Sequence, residues 1–399
     1  MVKNFILKEL NVNQLLLGLS LFFLPISIQL NSICLILFFI YNTYLRIRER
    51  SLFGLNLLFA FIFSIQSISF FLSSNYVEAS KKLILFLVFP LLFSFFPRKQ
   101  INVDLVFRYL LCGVVLMLVY TFLRSAYDII FLNQRYDYGR GPEILLRYTP
   151  HHVYLSLFVI TTIIVLINQI GRNLISFTNI YIVPFLFITL FLLPSRTALL
   201  IAIIIIPLCT IIFLKGKYSF KHIIIFTTIL LFVSIIGLSI DFTRDKLLYA
   251  YYELFNVPTA EKPFYGITSR QKIWETCFNL INRTPLLGFG IGDTQEVLNA
   301  AYLKNGFTDV VNLNAHNQYL QNILQYGLLL SSIIVFIFLW IILKLIMYKE
   351  WLLVWLWIII LLFFATESML NRQWGVAYFA MLLFLSCYRL NLEGSSKMS

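Results

Sequence analysis

The chain has 399 residues, 60% of them hydrophobic and only 12% charged, with a formal net charge of +13 and a mean hydropathy of +0.86. So many apolar runs of spanning length exclude a soluble protein with one buried core and read as a polytopic, all-α membrane protein. Lys and Arg cluster in short loops between those runs, not on a basic face interleaved with aromatics, so the charge is topogenic and nucleic acid is excluded as a partner.

Lys3 and Lys8 precede an apolar stretch, Leu15–Ile28, that has no small-residue cleavage site, so the chain is expected to open on a retained first span. Apolar segments then recur at 12–30, 32–46, 53–73, 83–97, 104–124, 152–169, 180–194, 197–214, 221–240, 317–346, 351–367 and 374–390. Each approaches the roughly 20 residues that a helix needs to cross a bilayer, and continuous apolarity without alternation selects helices over strands. Twelve spans is the expected count. The weakest divisions are the first pair, the short fourth run and the split at Pro194-Ser195-Arg196.

Orientation follows from the short loops. With the N-terminus inside, sixteen Lys and Arg lie on the cytoplasmic side against eight on the other. Both ends are therefore expected in the cytoplasm. The long segment 241–316 then forms a large outer-face loop between spans 9 and 10 of a single membrane domain, 1–399. Loops beyond about 12–15 residues are usually functional or disordered, and this one carries too many aromatic and apolar residues for disorder. Arg135, Arg140 and Arg147 sit on the side that topology disfavours, in a turn-rich segment before His151-His152. Two readings stand for them: an anionic ligand, or lipid headgroups.

Within the large loop, Asp245–Phe255 places Leu248, Tyr251, Tyr252 and Phe255 on one side, as in a helix lying on a membrane surface. Thr268 or Ser269 can cap a second helix to about Asn282, with Ile273, Trp274, Cys277, Phe278 and Ile281 as its apolar stripe. Arg270 falls one turn before Trp274, on nearly the same face.

Arg196 opens a span, where a guanidinium is costly unless paired, hydrated or bound to ligand; a snorkelling anchor is the bland alternative. Together with Arg270 it suits a pyrophosphate, through planar, charge-assisted contacts. His316, immediately before the run at 317–346, can accept a proton from a hydroxyl nucleophile or serve as a structural hydrogen bonder. Asn317 can orient a sugar or satisfy the helix start.

Gly288-Phe289-Gly290-Ile291-Gly292 lacks the strand and Lys-Ser/Thr of a phosphate loop and reads as a tight turn allowing close backbone approach. Asp293, Glu296 and Asp309 lack ligand spacing, and adjacent His151 and His152 would diverge by about 100° on a helix, so no metal and no cofactor is expected. The five cysteines are scattered, without paired spacing, and read as packing residues.

In order and spacing these residues resemble the O-antigen ligase family over most of the chain. The carriers are Ser195-Arg196, Arg270 with Trp274, Pro285-Leu286-Leu287-Gly288-Phe289-Gly290, and His316-Asn317 followed nine residues later by Gly327. The resemblance implies a GT-C-type glycosyltransferase of twelve spans in the bacterial inner membrane, with a periplasmic loop over the active site. It further implies transfer of a glycan from undecaprenyl pyrophosphate to lipid A–core without metal or nucleotide. Arg196 and Arg270 would hold the pyrophosphate, His316 would activate the acceptor hydroxyl, and the anomeric centre would invert. Asn317, Trp274, Arg140 and Arg147 would position substrate.

Polysaccharide polymerases of the same family take a second lipid-linked glycan as acceptor. They often carry an Arg followed by Gly eleven positions later, whereas here Arg270, Arg283 and Arg147 are followed at that distance by Ile281, Thr294 and Phe158. A lipid-linked glycan flippase would place polar residues inside many spans. These span interiors are largely apolar, and polarity gathers at one face.

Overall fold

The computed structural model describes residues 11–49, 57–93, 100–131, 150–193, 195–254, 267–284 and 286–396. In hydrocarbon a backbone can satisfy its polar groups only internally. The apolar runs accordingly fold as helices wherever they are described. The order is α1 (Val12–Phe23), α2 (Ile28–Glu49), α3 (Leu57–Phe71), α4 (Tyr76–Leu85), α5 (Val88–Phe93), α6 (Val103–Phe131), α7 (His152–Gly171) and α8 (Ile182–Leu192). Then come α9 (Arg196–Leu214), α10 (Phe220–Ser239), α11 (Asp241–Leu254), α12 (Ile267–Ile281), α13 (Thr294–Lys304), α14 (Gln318–Met347), α15 (Trp351–Phe364) and α16 (Gln373–Ser396).

Six of these helices, α2, α6, α7, α9, α10 and α14, are long and apolar enough to cross a membrane. Four shorter apolar helices accompany them, at Val12–Phe23, Leu57–Phe71, Thr178–Leu192 and Trp351–Phe364. The first two runs are parted by a turn at Leu24–Ile26 that contains Pro25, which cannot continue α1. The short fourth run begins inside α4 and continues into α5, with the break at Phe86-Leu87.

The chain divides into two compact units, Met1–Phe38 with Pro97–Leu247, and Phe39–Phe96 with Leu248–Ser399. In the first, α7 is the central helix, buried from Val153 to Gly171 and packed against α6, α8 and α9. Small residues let backbones close up, as membrane helices require: a Cβ on Gly113 of α6 would sit 2.1 Å from the Phe22 carbonyl oxygen. In the second, α14, α15 and α16 pack around Phe338, Trp357, Phe364 and Phe379, with Phe338 and Phe379 centroids 5.3 Å apart. The buried Trp357 indole donates to Ser386 Oγ at 2.9 Å.

The large loop carries its own small core. Ile273 and Cys277 of α12, Leu298 and Tyr302 of α13, Val310 and Ala315 bury against Leu320 and Leu324 of α14. The expected stripe on α12 is corrected at one position: Phe278 is 58% exposed, and Leu280 packs on the core instead. At about 100° per residue, Leu280 returns to within 20° of Ile273, while Phe278 lies about 140° away. The preceding helix α11 covers the expected Asp245–Phe255 segment as far as Leu254; Phe255 lies outside the described residues.

Candidate active site

The site is built where the end of the loop meets α14. Asn317 takes the N-cap position, its Oδ1 accepting from the backbone N–H of Tyr319 at 2.9 Å and Leu320 at 3.1 Å. Its Nδ2 donates to the carbonyl of Ala365 at 3.0 Å, just past α15. From the next residue, Gln318 Oε1 accepts from Leu370 N–H at 2.7 Å. These two bonds tie both ends of the turn 365–370 to the head of α14. On the other side, Trp274 Nε1 donates to the Ala315 carbonyl at 3.1 Å, and Ala315 N–H donates to Gln321 Oε1 at 3.1 Å.

Held between these anchors, His316 adopts a left-handed backbone, φ +42°, and its N–H donates to Asn314 Oδ1 at 2.9 Å. Such a conformation is uncommon for a non-glycine residue and persists where surrounding bonds over-determine it. The imidazole Nδ1 lies 3.0 Å from Glu367 Oε2, and the other carboxylate oxygen accepts from Arg270 Nη2 at 2.7 Å. One carboxylate thus joins the histidine before α14 to the arginine of α12. Burial pushes the Glu367 carboxyl up, but the hydrogen bond and charge of His316 and those of Arg270 outweigh it, holding the group below the ordinary carboxylate range. An ionised carboxylate only accepts, so Nδ1 is the nitrogen that carries a proton towards Glu367, and in the neutral imidazole this tautomer has its lone pair on Nε2. Arg270 Nε is buried without a hydrogen-bond partner.

Glu367 was not among the residues singled out from sequence. It ends the apolar run 351–367 and passes there as the last residue of a span. The signal was present, since an acidic side chain at the edge of an apolar segment asks for a partner. The helix in fact stops at Phe364 and Glu367 stands beyond it.

The glycine-containing turn has a structural task. Gly327 breaks α14 with φ +75° and ψ 171°. Just before that break, the carbonyls of Leu324 and Gln325 accept the backbone N–H groups of Phe289 at 2.8 Å and Gly290 at 3.3 Å. A Cβ on Gly327 would lie 2.0 Å from the Leu286 oxygen, and one on Gly288 would lie 2.4 Å from the Gln325 oxygen. Two motif pieces separate in sequence are therefore one joint in space. Beyond it, the Asp293 carboxylate accepts from Ser74 and Asn75 N–H, each at 2.7 Å, pinning the turn between α3 and α4.

The structure thus brings together His316, Arg270, Asn317 and Trp274. Arg196 is the first residue of α9, in the other compact unit, behind Ser195, whose Oγ accepts from Ala198 N–H at 3.3 Å. Arg140 and Arg147 lie outside the described residues. His151 precedes α7 in a non-helical conformation, so it stacks on His152 with ring centroids 4.2 Å apart rather than diverging from it.

A helical membrane scaffold holding a histidine, a carboxylate and an arginine on a folded loop defines a polytopic membrane protein with a candidate proton-transfer site beside a cation. Residues 181–335 match the family described as O-antigen ligase, which bears out the resemblance to that family. The matched stretch holds Arg196, Arg270, His316 and Gly327, is less than half of the chain, and ends before Glu367. It supports glycan transfer of the ligase or polymerase type. No curated protein matches the chain.

Proposed function

We propose that the protein is a membrane glycosyltransferase of the ligase type, moving a glycan from undecaprenyl pyrophosphate to a sugar hydroxyl of lipid A–core. The observation that carries this reading is the chain His316–Glu367–Arg270, with contacts of 3.0 Å and 2.7 Å. Ionised Glu367 fixes the Nδ1–H tautomer, so His316 Nε2 takes the proton of the acceptor hydroxyl as its oxygen forms the new bond to the anomeric carbon. The bond from that carbon to the pyrophosphate oxygen breaks, and undecaprenyl pyrophosphate leaves with the electron pair. Attack opposite the leaving group inverts the centre. Arg270 and Arg196 stabilise the charge that grows on the pyrophosphate, so the step needs neither a metal nor a nucleotide.

Glu367 is a positioning residue in this scheme, as are Asn317 and Trp274, which hold the loop rather than the sugar. Arg140 and Arg147 supply further cationic contacts to the donor. The chain acts as one domain, 1–399, of GT-C type, with twelve spans in the bacterial inner membrane and both termini cytoplasmic. Segment 241–316 is periplasmic, beside the membrane lipids. The second reading, a polymerase, draws on the arginine-bearing segment Arg135–Arg147, which could serve a second lipid-linked glycan.

Complementation of a deletion strain separates the two. At matched expression, His316→Ala, Arg270→Ala and Arg196→Ala should copy the deletion, leaving bare lipid A–core and long polymer on undecaprenyl. If the deletion leaves only single repeat units, on undecaprenyl or on core, the protein is a polymerase and the ligase reading falls.

A further inference from the structure

Two cations of the second unit stand near the turn that carries Glu367 and take no part in the site described above. Lys82 lies half-buried on α4, and Arg372 is the exposed residue that joins this turn to α16. Both helices start from the loop. Asp293 accepts the N–H of Asn75 at the head of α4, and Gln318, where the loop ends, accepts that of Leu370 just before α16. Further along, α5 packs on α16, with the rings of Phe89 and Phe379 6.1 Å apart. Lys82 precedes Phe89 by seven residues and Arg372 precedes Phe379 by seven, about two helical turns in each case, so the two charges come to the same level.

These charges act on each other with no acid to join them. Burial pushes the Lys82 ammonium below the ordinary lysine range, and the charge of Arg372 pushes it the same way, against the pull of Glu78. The Glu78 carboxylate is itself paired with Lys81. Among the described residues no acid forms an ion pair with Lys82 or Arg372, and neither side chain makes a hydrogen bond. Two neighbouring cations, one of them partly desolvated, disfavour the fold unless an anion lies against them. Arg372 follows Glu367 by five residues, through a 3₁₀ turn at Met369–Asn371, so it stands well inside the roughly 18 Å that five extended residues could reach.

We propose that Lys82 and Arg372 form a second phosphate site, which takes a phosphate of a lipid substrate held at the Glu367 turn. The inference rests on the transfer between lipid-linked substrates proposed above. An arginine fork beside a lysine point charge suits a phosphate, whose oxygens accept from both. Depth selects a lipid phosphate over a free one. Lys82 directly precedes the apolar residues Leu83–Phe86, and Arg372 stands at the head of α16, so both charges lie where the polar surface gives way to hydrocarbon. Position selects a substrate lipid over the bulk, because the pair shares with Glu367 the turn that reaches His316.

The test measures binding of undecaprenyl pyrophosphate, bisphosphorylated lipid A and phosphatidylglycerol to the purified full-length protein in detergent. Lys82→Met, which keeps an apolar stem, and Arg372→Gln should each weaken one or both substrate lipids about tenfold. Lys82→Arg should stay within about threefold of wild type, and so should Lys304→Met, which removes an exposed cation of α13. Because the two cations repel, Lys82→Met should keep or raise the unfolding temperature, whereas a lysine that the fold needs would lower it. Weaker undecaprenyl pyrophosphate assigns the site to the donor and weaker lipid A to the acceptor; either supports it. The proposal is overturned if Lys82→Met and Arg372→Gln bind both substrate lipids as wild type does, or if Lys304→Met weakens them equally. It is also overturned if Lys82→Met lowers the unfolding temperature together with binding, or if phosphatidylglycerol binding alone falls, which would make this a bulk headgroup contact. If neither substrate lipid binds the wild type, the lipid-linked transfer reading itself falls, and this inference with it.

Discussion

Replacing Glu367 with Gln tests the proposed chemistry most directly, because it keeps size while removing charge. The wild-type carboxylate accepts from Arg270 at 2.7 Å and faces His316 Nδ1 at 3.0 Å, with 19% of its side chain exposed. Gln can still accept one bond, but its amide N–H can donate to Nδ1 and so move the imidazole proton to Nε2. That tautomer cannot accept a proton from the acceptor. The loss should approach the whole contribution of a general base, about 10²–10⁴ in kcat, or roughly 3–5 kcal/mol of barrier.

The assay is transfer by purified full-length protein from undecaprenyl-pyrophosphate-linked glycan to lipid A–core, followed by gel mobility, with thermal unfolding as the control for folding. Glu367→Asp keeps the charge but is one methylene too short to hold both partners, so its turnover should lie between those of wild type and Gln. A Glu367→Gln protein that is folded and within about threefold of wild-type kcat would refute the role given to this carboxylate. The same group predicts a pH effect on stability. Its folded-state value lies below its unfolded one, so its contribution is complete above the unfolded carboxyl range and is lost as pH falls through the lowered value. Thermal unfolding of the wild type should weaken over that acid window, and Glu367→Gln should lack this component.

Trp274→Phe keeps an aromatic ring on the loop core but removes the bond to Ala315, so it should cost about 0.5–1.5 kcal/mol of stability and lower kcat less than Trp274→Ala does. Gly327→Ala meets both a positive φ and the Leu286 oxygen at 2.0 Å; it should lower the unfolding temperature and abolish activity, whereas Gly306→Ala, with equally positive φ but open surroundings, should only lower stability modestly. Cys277 is fully buried in the loop core, and burial pushes its thiol up to about 12. Maleimide should therefore label it only after unfolding, and rapid labelling of the native protein would mean that the loop does not hold this core.

Much of the helical layout was legible because a span announces itself by composition alone. The loop site was legible in part. Arg270, Trp274, His316 and Asn317 stood out as polar or aromatic residues at helix boundaries, and all four meet in one place. Glu367 did not stand out, because hydropathy counts an acidic residue at the end of an apolar run as the run's edge, and only the end of α15 at Phe364 frees it into a turn. Phe278 was misplaced for a related reason: a stripe read by type admits any apolar residue, and only the helical angle separates it from Leu280.

The nine-residue gap between Asn317 and Gly327 gains a physical meaning from the joint at the break. Nine residues, Gln318 to Tyr326, form the stretch of α14 that lies between its cap and its interruption. At one end Asn317 and Gln318 grip the turn that carries Glu367; at the other, Leu324 and Gln325 grip Phe289 and Gly290. About two and a half helical turns separate the two grips. Adding one residue would rotate one grip by about 100° relative to the other, so the turn of Glu367 and the glycine joint could not both be engaged. The spacing is thus fixed by the demand that one short helix hold His316, Glu367 and the loop at once, and glycine is needed at its end because Leu286 leaves no room for a Cβ.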